Sequence, residues 1–273
     1  MTTPANLGPG VKGSLPSLPL NPAELAARFG IVGVAVGFRF ERFGEIGDFP
    51  LVALTRPAPG TRPRIYISAG IHGDEPASTL SILELLEAGR LDDRASWFVC
   101  PLLNPAGLAR GIRENTAGAD LNRGYRDPQT PENKAHIAWL RRQPSFDLTL
   151  CLHEDWEAKG FYLYELNPDR RASLAEAIVG AASAIIPADS SPLIDGREAR
   201  AGIIRPNSDP AVREKWPESI YLRANNHAGI HYTLETPSSF PLAKRIATLR
   251  AAVETAVDLL VADPKGTERT PTD

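Results

Sequence analysis

Apolar residues fall along this chain in two rhythms. Nearly unbroken runs at 63–70 (PRIYISAG), 97–103 (WFVCPLL) and 146–154 (FDLTLCLHE) have the length of strands buried on both faces. The segment 229–235 (GIHYTLE) predicts another strand, with Tyr232 and Leu234 on one face and Thr233 and Glu235 on the other. Leu80, Leu83, Leu85 and Leu86 share a face and predict a helix over 76–88. Ile246, Leu249, Val253, Val257 and Leu260, spaced by three and four, predict a long amphipathic helix over 242–262. Segments 134–142 and 170–186 also read as helical. Asn21 followed by Pro22 predicts a short capped helix over 21–30. The runs 31–40 and 49–56 predict two strands joined by a Gly-bearing turn. The alternation of Tyr162 and Tyr164 marks a further strand.

Strands alternating with helices after an initial hairpin predict an α/β fold: a mixed central β-sheet with helices on both faces. In such folds the strand C-terminal ends are where active sites are built. The expected organisation is a flexible arm over 1–20, a single catalytic domain over 21–263 and a flexible tail over 264–273. The arm is rich in Gly and Pro and the tail is polar.

Composition narrows the classes. With 273 residues, 42% hydrophobic and 23% charged, the chain has the composition of an ordinary globular protein rather than a disordered or fibrous one. Its 33 acids against 30 bases give a formal charge of −3, so there is no basic excess for phosphates and nucleic acid is not an expected partner. Cys100 and Cys151 sit in apolar runs, as reduced buried thiols do. No signal-peptide pattern or membrane-length apolar run is visible. The expectation is a cytoplasmic protein with no membrane partner; oligomeric state is not readable.

Four strand ends carry chemistry. At the first, His72 and Glu75 follow the apolar run 63–70, and Gly70 and Gly73 allow the chain to bend sharply. At the second, His153 ends the run 146–154. Two imidazoles and a carboxylate are a set that catalytic zinc sites use, leaving one position for water. The third, following the segment 101–107, is a Gly- and Asn-rich loop from Arg110 to Arg123, with Arg110, Arg113 and Arg123 suited to carboxylates or a developing oxyanion. At the fourth, Glu235 ends a buried strand, where a carboxylate is costly unless paired or functional. The acids Glu154, Asp155 and Glu157 after His153 read as a solvated loop; a second metal or a preference for basic groups are the alternatives.

The order His-x-x-Glu, Asn-Pro-x-Gly, Arg-x-Asn-x-x-Gly-x-Asp-Leu-Asn-Arg, Leu-His and Thr-x-Glu resembles the zinc carboxypeptidase family, the carboxypeptidase A-like metallopeptidases. The related succinylglutamate desuccinylase/aspartoacylase branch shares most of these marks. The resemblance spans roughly residues 30 to 262. It implies one Zn²⁺ held by His72, Glu75 and His153, with Glu235 as general base and later acid. It implies Arg113 polarising the scissile carbonyl, and Asn122 and Arg123 gripping a substrate carboxylate. A tyrosine on a mobile loop closes over substrate in the digestive enzymes. Tyr221 is the nearest match before Glu235, with Tyr162 and Tyr164 as alternatives.

The expected function is therefore a zinc metallocarboxypeptidase or peptide amidase acting beside a free carboxylate. An N-acyl amino acid deacylase is the first alternative, and an inactive peptide- or metal-binding relative the second. Only 38 residues follow Glu235, too few for the β-rich domain usual in the deacylase branch, which favours the peptidase. No ligand or base is substituted, which speaks against an inactive relative.

Overall fold

The computed structural model describes residues 20–225 and 229–263. The arm (save Leu20) and the tail expected from the sequence lie outside the described residues.

Helix α1 (Pro22–Ala35) opens the fold, and the Asn21 side chain accepts the N–H groups of Ala23 and Glu24. Strands β1 (Arg39–Ile46) and β2 (Phe49–Arg56) form an antiparallel hairpin. Then follow β3 (Arg64–Ser68), α2 (Pro76–Glu87), β4 (Ser96–Cys100) and α3 (Pro105–Arg110). A 3₁₀ turn at Leu121–Arg123 leads to α4 (Pro131–Leu140), β5 (Leu148–Asp155), β6 (Tyr162–Leu166) and α5 (Ala175–Ser183). Short strands β7 (Leu193–Ile194), β8 (Arg197–Glu198) and β9 (Ile203–Ile204) precede α6 (Glu218–Ala224), β10 (Ile230–Pro237) and α7 (Leu242–Ala262).

The strand order of the main sheet is β1-β2-β4-β3-β5-β10-β6-β9. Its four central strands, β4, β3, β5 and β10, are mutually parallel. Their C-terminal ends therefore fall along one edge. Alternation sends Ile65, Ile67, Leu150, Leu152 and Leu234 into a core shared with α1, α2, α5 and α7. Tyr66, Cys100 and Cys151 point the other way, into a second core with α4 and α6. Cys100 and Cys151 are free, buried thiols. The mixed sheet with helices on both faces is the architecture expected from the sequence.

One expectation is corrected. Residues 31–35 continue α1 instead of starting a strand. The β-branched run suggests a strand, but Leu25, Phe29 and Gly33 recur at helical spacing and bury against the sheet, leaving Ile31 and Val34 exposed. A Cβ at Gly33 would lie 2.5 Å from Leu54 Cδ2, so glycine lets the helix pack this closely without moving that side chain. The hairpin itself is real, but its first strand begins at Arg39. Boundaries elsewhere shift inward or outward by a few residues, α4 starting at Pro131 behind the capping Thr130.

Candidate metal centre

The candidate site is assembled by the ends of the four parallel strands. Beyond β3 the chain turns sharply at Gly70 (φ +65°), where a Cβ would meet Thr79 Oγ1 at 2.7 Å. Gly73 lies against the backbone of α3, where a Cβ would come within 2.0 Å of the Gly107 carbonyl carbon. This tight seat delivers His72 and Glu75 to the sheet edge. Asn104, just after β4, caps α3 through the N–H of Gly107 and donates to the Arg113 carbonyl, fixing the start of the arginine loop.

His72, Glu75 and His153, all buried, offer ligand atoms within 4.8 Å of one another. His72 Nδ1 lies 2.6 Å from Glu75 Oε1, and His153 Nδ1 lies 2.9 Å from Glu75 Oε2. The two imidazoles thus converge on one carboxylate through the same nitrogen of each ring. Two nitrogens and a carboxylate oxygen suit a borderline ion such as zinc, and three protein donors leave room for water. The donor set fits the expected metal.

Sheet register places the acid. Glu235 on β10 pairs with His153 on β5 and with Tyr162 on β6, so all three project from one face. Burial, reinforced by the charges of Glu75 and Asp155, pushes the Glu235 carboxyl up to about 8. Glu75 goes the other way. Burial opposes its charge, but the two histidines outweigh that and hold it well below the usual carboxylate range. For His72, burial lowers the pKa, yet Glu75 and Asp120 raise it further than burial lowers it. The cluster as a whole attracts positive charge.

Arg113 donates from Nε and Nη2 to Asp120 Oδ2 at 3.2 and 3.1 Å, and its Nη1 is 3.6 Å from Glu75 Oε1. Asn122 is buried, its Oδ1 accepting the N–H of Glu218 at 2.9 Å. Arg123 is exposed and donates to the Asn122 carbonyl. With the three candidate ligands and Glu235, these residues line one cavity of about 600 Å³.

Tyr221 departs from expectation. It is 3% exposed, packs in the second core with its ring centroid 5.6 Å from that of Tyr125, and does not line the cavity. It lies on the buried face of α6, where a large aromatic serves packing. Tyr162 and Tyr164 do line the cavity, and their hydroxyls donate to Asp155 Oδ2 and Asp195 Oδ2. The solvated acidic loop is also corrected in part: Glu154 is buried and bound to Ala77 N–H and Arg245, whereas Trp156 and Glu157 are at the surface.

Two participants escape sequence reasoning. Asp120 Oδ1 lies 3.3 Å from His72 Nε2, so a carboxylate backs the histidine nitrogen that faces away from Glu75. Such partners fix a ligand's tautomer and orientation. Lys215 lies beside Arg123 because Gly124 and Trp216 form a parallel bridge, and both cations line the cavity. Among the described residues neither has a carboxylate within 4 Å. Asp120 stands in the quoted motif, so a His-to-acid second contact was a readable signal; nothing local marks Lys215.

The succinylglutamate desuccinylase/aspartoacylase catalytic domain matches residues 61–188. No curated protein sequence matches the chain. A candidate metallopeptidase of Shewanella amazonensis SB2B is 26% identical, with a TM-score of 0.74, covering 86% of this chain and 92% of its own. One from Shewanella denitrificans OS217 is 23% identical with a TM-score of 0.76, covering 87% and 89%. A metallo-carboxypeptidase of Burkholderia cenocepacia shares the fold at 19% identity and a TM-score of 0.64, covering 85% of this chain and 67% of its own. The fold is thus carboxypeptidase-like, and within it residues 61–188 are similar to the succinylglutamate desuccinylase/aspartoacylase catalytic domain.

Proposed function

We propose that residues 21–263 form one catalytic domain of a zinc-dependent hydrolase that cleaves an amide bond next to a free carboxylate. The observation that carries this reading is the convergence of both histidine Nδ1 atoms on Glu75, with Glu235 in register beside His153. His72, Glu75 and His153 would hold one zinc ion. When bound, the ion lowers the pKa of water toward ~7 and polarises a carbonyl.

The chain's own groups divide the remaining work. Glu235 accepts the proton of the attacking water and delivers it to the leaving amine. Arg113 offsets the charge that develops on the carbonyl oxygen, and Asp120 holds its guanidinium in place. Asp120 also steadies His72 from behind. Arg123, beside Lys215 and next to Asn122, anchors the substrate carboxylate and sets the register of the scissile bond.

The metallo-carboxypeptidase neighbours support a peptide substrate. The matched catalytic domain supports a second reading, an N-acyl amino acid deacylase. The two share every site residue and differ in the acyl half of the substrate. A panel of N-blocked dipeptides, γ-linked peptides, and N-acetyl and N-succinyl amino acids, run with the zinc-loaded protein, tests both. Hydrolysis of the dipeptides favours the first reading and hydrolysis of the acyl amino acids alone favours the second. No hydrolysis of any member in the presence of zinc overturns both.

A further inference from the structure

We propose that Glu154 is a positioning residue for the metal centre, tying the strand that bears His153 to the helix whose N-cap is Glu75. The role rests on the reading of His72, Glu75 and His153 as metal ligands.

Glu154 follows His153 on β5 and pairs with Thr236, so it projects toward the face opposite Glu235. Its side chain is fully buried. Oε1 accepts the N–H of Ala77 at 2.6 Å, and Oε2 accepts from the Arg245 guanidinium on α7. Ala77 is the second residue of α2. The first turn of a helix leaves N–H groups without intrahelical partners, and the N-cap side chain ordinarily serves one of them. Glu75 occupies the N-cap of α2 yet makes no capping bond, because its two oxygens face the two histidines.

Glu154 caps the helix in its stead, reaching across from the neighbouring strand. A carboxylate there also meets the positive end of the helix dipole. One side chain therefore joins β5, which carries His153, to α2, whose N-cap is Glu75 and whose preceding turn holds His72. His153 is its neighbour on β5, and Glu75 lies two residues before Ala77. Arg245 supplies the opposite charge that a buried carboxylate requires and brings α7 into the clamp. With one oxygen on the Ala77 N–H and the other on Arg245, Glu154 acts through the ligands rather than on substrate. It also gives the acidic run after His153 a role that a solvated loop would not have.

The test compares two double variants that both remove the buried ion pair. Glu154→Gln/Arg245→Met keeps an oxygen for the Ala77 N–H, and Glu154→Met/Arg245→Met does not. Each full-length protein is stripped of metal and its Zn²⁺ dissociation constant measured by competition with a chromogenic chelator. Thermal unfolding without metal is recorded alongside. The Gln pair is expected to bind zinc as the wild type does, and the Met pair about 10–100-fold more weakly, the range for losing a group that orients metal ligands. A Glu154→Thr/Arg245→Met pair, polar but too short to reach Ala77, repeats the comparison if the Met pair does not fold. Equal zinc affinities in a wild type and variants that all bind zinc overturn the positioning role alone. A wild type that binds no zinc overturns the metal reading and this role with it.

Discussion

At the scale of residues, the candidate site is a problem in charge placement. Glu75 is kept ionised by two histidines, while in the metal-free protein Glu235, on β10, is kept close to neutral by burial. Environments that push two carboxylates apart in this way assign them different work. The Glu235 shift has a consequence for stability. Its folded pKa of about 8 lies above the ordinary 4.5, so the native state binds the proton more tightly. Stability contributed by this group is complete at low pH and is lost as pH rises through about 8. In metal-stripped protein, Glu235→Gln should therefore gain in melting temperature relative to wild type between pH 5 and pH 9. Melting curves that shift in parallel across that range would show that Glu235 ionises normally. With zinc restored, the same substitution should retain the metal and lose about 10²-fold or more in kcat, the scale of general acid–base catalysis. Arg123→Ala should act differently, mainly raising KM for carboxylate-bearing substrates. Unchanged kinetic constants would remove the anchoring role. His72, Glu75, His153 and Glu235 were legible in the sequence because each stands at the end of an apolar run. The clamp made by Glu154 was not, because its partners Ala77 and Arg245 lie 77 and 91 residues away.

At the scale of elements, two close approaches hold the ligand-bearing turn in place. Gly73 sits on the backbone of α3, which cannot yield as a flexible side chain could. Gly73→Ala should destabilise the protein by about 1–3 kcal/mol or more, the usual cost of overpacking, and weaken metal binding because His72 is adjacent. Gly180→Ala is the control. It lies in α5 with open space around the added carbon, and should stabilise by up to about 1 kcal/mol through helix propensity. Chemical denaturation of the two variants checks both signs; a neutral Gly73→Ala would mean the turn is not seated as described. The same physics explains where local pattern misleads. The Ile-Val-Gly-Val-Ala-Val run reads as a strand by residue type, but Gly33 lets it pack as helix against Leu54. Tyr221 fell near Glu235 in sequence, yet the face of α6 on which it lies is a core face. The long helix α7, by contrast, was legible to the residue because its apolar stripe is uninterrupted.

At the scale of the whole molecule, topology does the assembling. Four parallel central strands bring four distant segments to one edge of the sheet, and the largest apolar core lies beneath the opposite face. That much followed from the alternation of strands and helices. The strand order did not, since it depends on which of several similar apolar runs pair. No helix among the described residues is long and apolar enough to cross a membrane. If the edge holds a metal ion, binding must stabilise the fold by mass action, about 2.7 kcal/mol at a free concentration 100 times the dissociation constant. Zinc should raise the melting temperature of the wild type and not that of His72→Ala. The most direct measurement is the metal content of purified, zinc-reconstituted protein by atomic absorption. The account predicts one zinc per chain in the wild type and in Glu235→Gln, and almost none in His72→Ala. Stoichiometric zinc in His72→Ala, or none in the wild type, would contradict it.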